Sequence, residues 1–275
     1  MAGKLLPTFG PRVAADIKPQ EISDWLDEHT RTSGTRNRYR ACLSLIYRQG
    51  IRNGKVAVSP ARLVRQRTEN NARQRFLSTE EIGRLRAVIA EHFQHHLASF
   101  DVGLNTGMRS GEQFMTLRWC DVHLERRQIS LTDTKNGGGR VIPLNKTAFA
   151  AFLEAREQWD GNPNSRVFLS VYGKPLNSPR WWFIPAVKLA KLEGVTWHTL
   201  RHSYISHLVM KGIDIRTVAE LAGHKTLSMT MRYAHLAPGH LQDAVERLDR
   251  WDTKSDTGTL KDNPQQEPIS SKLLN

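Results

Sequence analysis

Cysteine is nearly absent, with Cys42 and Cys120 the only two in 275 residues. Two thiols supply neither a disulfide framework nor a cysteine zinc site, which places the chain in a reducing, cytoplasmic compartment. No apolar run approaches the roughly 18 residues of a membrane span. The opening stretch, MAGKLLPTFG, is broken by Pro7 and Gly10 and does not read as a secretory signal. A soluble protein of one large or two modest domains is expected, each domain burying a core without covalent staples.

Acidic residues are scarce in one place. Overall, 40 Lys and Arg oppose 27 Asp and Glu, a formal charge of +13. Residues 1–75 hold 15 of these bases and 6 of the acids, and between Arg31 and Arg75 twelve bases face Glu69 alone. Such a segment repels itself unless a polyanion supplies counter-charge, and nucleic acid is the commonest one in a cell. A solvated basic face kept for solubility is the alternative.

Residues 20–49 carry two helical patterns. Ile22, Trp25 and Leu26 form one stripe, and Tyr39, Leu43, Ile46 and Tyr47 form another after the Ser33-Gly34 break. Thr35 is a candidate cap for the second helix, whose exposed side is expected to display Arg36, Arg38, Arg40 and Arg48 to DNA. Ser59-Pro60 opens a further short helix, and residues 64–75 read as a linker. At LSTEEIGRLRAVI, Ser78 or Thr79 caps a new helix, so a domain boundary falls near residue 75. Beyond it, RRQISLT and GRVIPL alternate around an Asn136-Gly137 turn as a hairpin. Further helices are expected at 147–158, 180–192, 199–211, 215–222 and 228–236. The fold class is mainly α with a small antiparallel hairpin (α+β), and residues 251–275 read as a disordered polar tail.

Three stretches carry candidate chemistry. In TWHTLRHSYISHLVMKG a helical wheel puts Arg201 inside the buried arc and His198 at its edge. A buried arginine needs an internal carboxylate or an anion in a cleft. His202 and His207 fall outside the arc and read as surface residues. In NTGMRSGEQFMTLRWCDV, Ser110 and Gln113 suggest a capping box, with Arg109 at the helix start, where an anion is favoured. Glu112 is placed to orient the Arg109 guanidinium. In ELAGHKTLSMTMRYAHLAP, Gly223 caps a helix just before His224, and Thr226 or Ser228 starts a short helix carrying Tyr233. His224 and Tyr233 would lie about 180° apart on one continuous helix, so a break is needed if they are to meet. Taken singly, Tyr233 reads as a core tyrosine and His224 as a surface residue.

Together these stretches resemble the tyrosine recombinases, the phage integrase family. His198-Thr-Leu-Arg201-His202, Leu221-Ala-Gly-His224 and Arg232-Tyr233-Ala-His235 are similar to its C-terminal signature. Thr106-Gly-Met-Arg109-Ser-Gly-Glu112 is similar to its first box, and Thr134-Lys135 to its strand lysine. The resemblance is close over about 76–246 and loose over 13–68. It implies a catalytic domain at 76–250 and a helical core-binding domain at 1–72. The core-binding domain is expected to be truncated, because the family's usual first helix and its arm-binding domain have no counterpart here. Gln113 also departs from the family, which usually has Leu or Ile after the box glutamate.

By resemblance, Arg109, Arg201 and His224 cradle a phosphate of duplex DNA. Tyr233 attacks phosphorus to form a 3′-phosphotyrosine, His198 accepts its proton, and Lys135 protonates the departing 5′-oxygen. Glu112 and His202 support the site. Breaking and rejoining then need no ATP, metal or other cofactor. The implied partners are double-stranded DNA, further copies of the chain in a homotetramer, and an accessory DNA-bending protein. The stripe Leu241, Ala244, Val245 and Leu248 would dock on its own domain or on a neighbouring protomer. The same residues leave two other readings: a catalytically silent DNA-binding remnant of a mobile element, and a metallohydrolase on His198 and His202. The second lacks a general base, since Thr199 stands where one would be needed.

Overall fold

The computed structural model describes residues 2–69, 75–131, 139–237 and Val245. Lys135, the Asn136-Gly137 turn, the tail from residue 251, and Leu241, Ala244 and Leu248 lie outside the described residues. The chain divides into two compact units, Met1–Gln74 and Arg75–Asn275.

In the first unit, helices α1 (Ala2–Phe9), α2 (Pro19–His29), α3 (Ser33–Arg52) and the single turn α4 (Pro60–Leu63) enclose one core. α1 has no counterpart among the elements expected from the sequence. Pro19 opens α2, where its missing N–H costs nothing. Trp25, at the centre, packs edge-on against Phe9 and Tyr39 and donates its indole N–H to the Thr8 hydroxyl at 3.1 Å. α3 is capped by Thr32, not Thr35: the Thr32 hydroxyl accepts the Thr35 N–H. Ile46, counted in the apolar stripe, is exposed.

The expected arginine face of α3 is only half there. Arg38 and Arg48 are exposed, but Arg36 is 4% exposed. It donates to Asp27 at 2.6 Å, to the Ser23 hydroxyl at 3.0 Å and to the Arg65 carbonyl at 2.9 Å. Arg40 donates to the carbonyls of Val64 at 2.5 Å and Arg62 at 3.0 Å. Asn37 exchanges hydrogen bonds with the Arg67 backbone at 2.7 and 3.0 Å. The stretch after α4 has too few apolar side chains to pack, so α3 holds it through its carbonyls instead. The part of the expected linker at 64–67 is therefore fastened to the first unit.

In the second unit, α5 (Thr79–His92), α6 (Leu97–Thr106), α7 (Lys146–Arg156), α8 (Arg180–Leu189) and α9 (Trp197–Met210) surround the larger core. Ser78 caps α5, with Glu81 reaching back to the Ser78 N–H. A three-stranded antiparallel sheet in the order β1-β2-β3 (Val122–His123, Gln128–Leu131, Arg140–Pro143) lies between α6 and α7 in sequence. Ile129 faces Ile142 across β2 and β3, both fully buried, while Leu131 pairs with Arg140. β1, two residues long, was not expected from the sequence. α10 (Ile215–Ala222) and α11 (Ser228–Met231) build a smaller core on α9 from Ile205, Val209, Val218, Ala222 and Tyr233. Among the described residues no helix is long and apolar enough to cross a membrane.

Candidate active site

The site starts from two glycines in left-handed backbone. Gly107 ends α6 at φ +61°, where a Cβ would lie 2.4 Å from the Tyr204 ring, so both backbone and packing require glycine there. The chain turns at Gly107 and delivers Arg109 just before a π-helical turn, Glu112–Thr116. The suggested Ser110–Gln113 capping box does not form. Gln113 is buried and donates to the Ser99 carbonyl at 2.6 Å, while its own carbonyl oxygen has no partner among the described residues. The Glu112 carboxylate takes the capping role, accepting the Arg109 N–H at 2.9 Å and the Arg109 guanidinium at 2.6 Å. Widening one turn to the π form lets Glu112 reach back while Gln113 points into the core.

Gly223 ends α10 at φ +63° and supplies the required break. His224 leaves the helix here, donating its backbone N–H to the Ala219 carbonyl at 2.9 Å. Its Nδ1 lies 2.7 Å from the buried Thr230 hydroxyl. With Thr230 as donor, the imidazole proton sits on Nε2. Leu227, not Thr226 or Ser228, occupies the cap position of α11, without a side-chain bond.

Three guanidinium groups converge on the end of α10. Arg201, 3% exposed, donates to the Gly107 carbonyl and to the Ala222 carbonyl, both at 2.6 Å. Its partners are backbone carbonyls at two helix ends, where the macrodipole is negative, and not the carboxylate expected of a core arginine. Arg140, from β3, donates to Ala222 O at 2.6 Å and to Glu112 at 2.9 Å. Arg109 reaches Gly223 O at 3.4 Å and is a quarter exposed, the most open of the three. Burial, together with the charges of Arg109 and Arg140, pulls Arg201 down to about 10, still protonated at neutral pH. Burial works to raise the Glu112 pKa, but Arg140 and Arg109 prevail and hold it below the usual carboxylate range. Among the described residues the three guanidinium groups have a single carboxylate to pair with, Glu112, which leaves the cationic excess that a site for an anion requires.

Tyr233 is 3% exposed, and its hydroxyl lies 2.5 Å from His202 Nδ1. Burial pushes the phenol up to about 12 against the charges of Arg201 and Arg232. Burial also pulls His202 and His224 down to about 4, helped by neighbouring positive groups, so both rings are neutral at pH 7. His198 is exposed on the first turn of α9, with its ring edge-on to His202 at 4.5 Å. His202 and His207 are thus half-buried and bonded, not freely solvated: His207 Nε2 meets the Leu77 carbonyl at 2.8 Å. Sequence reasoning missed Arg140, whose only signal was a basic residue opening the hairpin's return strand. Among the described residues, no three His, Cys, Asp or Glu side chains are grouped to hold a metal ion.

A helical fold with a guanidinium cradle on the same unit as a tyrosine held by a neutral histidine defines a site suited to phosphodiester chemistry. Residues 75–240 match the phage integrase family, and the chain belongs to that family of tyrosine recombinases. Tyrosine recombinase XerD of Listeria innocua is 30% identical over 224 residues, covering 77% of this chain and 74% of that one. The catalytic domain of bacteriophage HP1 integrase superposes with a TM-score of 0.51 at 30% identity, covering 66% of this chain and all of that domain. The Tn1549 transposon integrase in complex with a circular intermediate DNA shares the fold, with a TM-score of 0.69 at 19% identity over 86% of each chain.

Proposed function

We propose that the chain is a site-specific recombinase that cuts and rejoins duplex DNA through a phosphotyrosine intermediate. The observation that carries this reading is the meeting of Arg109, Arg140 and Arg201 at the Ala222–Gly223 exit, immediately before His224 in the chain. The DNA in the Tn1549 integrase structure supports duplex DNA as the substrate.

A phosphodiester carries one negative charge, and its transition state spreads charge over the oxygens around phosphorus. Arg109 and Arg201 supply fixed N–H donors to those oxygens, and His224 supplies one more from Nε2. The Tyr233 oxygen attacks phosphorus, forming a P–O bond to tyrosine as the P–O5′ bond breaks. The phenolic proton passes to a neutral imidazole, and Lys135 gives a proton to the departing 5′-oxygen. His202 holds that phenol in the present arrangement, while His198 is the acceptor implied by resemblance; attack requires the hydroxyl to leave its buried place and approach the arginines. Energy retained in the phosphotyrosine lets a 5′-hydroxyl reverse the step without a cofactor.

Residues 1–72 act as the core-binding domain and 76–250 as the catalytic domain, with Arg38 and Arg48 as backbone contacts. Four copies on two duplexes complete the exchange, and crosslinking with and without DNA reads that state. The decisive experiment offers the full chain a pool of nicked duplexes with a randomised core and recovers covalent adducts under denaturing conditions. Wild type captures duplexes, and Tyr233→Phe captures none. An adduct that persists in Tyr233→Phe rules out this nucleophile, and no capture by wild type favours a silent DNA-binding protein.

A further inference from the structure

Arg140 has no role in the reaction as written above, yet it sits at the centre of the site's contacts. It is the first residue of β3, and its side chain is 10% exposed, too deep for a solvated surface charge. One end of its fork donates to Glu112 Oε2 at 2.9 Å, and the other to the Ala222 carbonyl at 2.6 Å. Glu112 holds Arg109 through its second oxygen, Oε1, at 2.6 Å. The Ala222 carbonyl also receives Arg201 at 2.6 Å. Arg140 is therefore one contact away from each of the two arginines that face the phosphate, and one residue from the glycine that precedes His224.

The fit around it is tight. A Cβ on Gly223 would stand 1.9 Å from Arg140 Nη1, so that glycine makes room for the guanidinium as well as ending the helix. The Arg140 Nε is buried without a partner among the described residues. An orphaned buried N–H is a net cost to the fold, so stability alone gives no reason to prefer arginine here to an apolar side chain of similar size. What an apolar chain or a lysine cannot do is span a carboxylate and a carbonyl with one rigid planar fork.

The geometry points to Arg140 as a positioning residue, which sets Glu112, and through it Arg109, in register with the Ala222–Gly223 exit that presents His224. The inference rests on the strand-transfer reading. Arg140 touches no reacting atom; its effect reaches the phosphate through Arg109 and His224.

The test uses the full chain and a duplex recovered by covalent capture with wild type. Single-turnover cleavage by Arg140→Gln and Arg140→Lys is expected to slow by on the order of 100-fold, the usual cost of misplacing a reacting group by about 1 Å. Duplex affinity is expected to stay unchanged. Glu112→Gln gives a similar loss, and the double variant Arg140→Gln/Glu112→Gln is no slower than the slower single variant, since the two act as one unit. On a duplex whose scissile phosphate is a methylphosphonate, the Arg140→Gln defect shrinks, because Arg109 has less charge to meet. Three results overturn the inference while leaving the recombinase reading intact: wild-type rates in both Arg140 variants, additive losses in the double variant, or an undiminished defect on the methylphosphonate. Circular dichroism that shows both Arg140 variants unfolded also overturns it, making the contact a structural ion pair. No capture by wild type overturns the strand-transfer reading and this inference together.

Discussion

The two units handle arginine in opposite ways. The first carries the dense basic run, twelve bases against one acid between Arg31 and Arg75, and looks from its composition like the place where an anion binds. Yet Arg36 and Arg40 are committed to Asp27 and to the carbonyls at 62–65. The second unit is far closer to charge balance, and there Arg109, Arg140 and Arg201, separated by up to 92 positions in the chain, gather around one helix end. Charge density along a sequence thus says little about where an anion is held. What matters is whether guanidinium forks share an acceptor and leave donors over.

The sharpest way to break this comparison is at Arg201. Arg201→Met strips the Gly107 carbonyl of its donor, at about 1–3 kcal/mol, while the Ala222 carbonyl keeps Arg140. Adduct formation is expected to fall by at least about 100-fold, in line with loss of a preorganised charge donor. Thermal unfolding and covalent capture read the two effects separately. In the first unit, Arg36→Met should behave as a structural lesion. Discounted for the part-exposed Asp27, the loss is about 2 kcal/mol, seen as a lower denaturant midpoint. If Arg36→Met instead keeps its midpoint and loses only duplex affinity, the contrast between the units fails.

Acid sharpens the comparison further, because the depressed histidines lie in the second unit. His96, His202 and His224 are each held at about 4 by burial, against 6.5 for a free imidazole. As pH falls from 6.5, the unfolded chain takes up protons that these rings refuse until about pH 4, so stability is lost across that window. Urea midpoints measured from pH 7 to pH 4 should decline, and the slope should be shallower in His202→Gln. The smallest effect belongs to the exposed pair. Arg38→Ala and Arg48→Ala should each lower the salt slope of duplex binding by about one, with stability changed by less than about 0.5 kcal/mol.

Most element spans were legible in the sequence. The expected helix at 215–222 is α10, with Gly223 as its left-handed end, and the hairpin flanks are β2 and β3. These depend on local signals, namely caps, alternation and helical period. Two-residue β1 and the proline-containing α1 lie below what such signals resolve. The first-box helix was misread for a different reason. Ser110 and Gln113 have capping spacing, but the Ser99 carbonyl offered Gln113 a buried partner and Glu112 took the cap. The wheel placed Arg201 correctly on a buried face yet left its partner open between a carboxylate and an anion. It put His202 outside the arc, where Tyr233 from another turn covers it.

By itself, the sequence determined the order of the boxes, the spans of most helices and strands around them, and the glycines at which those elements must stop. Each of these follows from interactions within a few residues. Which arginines hold the backbone and which stay open to an anion was decided only by tertiary structure. A guanidinium donates to whatever acceptor the fold brings within about 3 Å, and for Arg201 those acceptors lie 94 and 21 positions away along the chain.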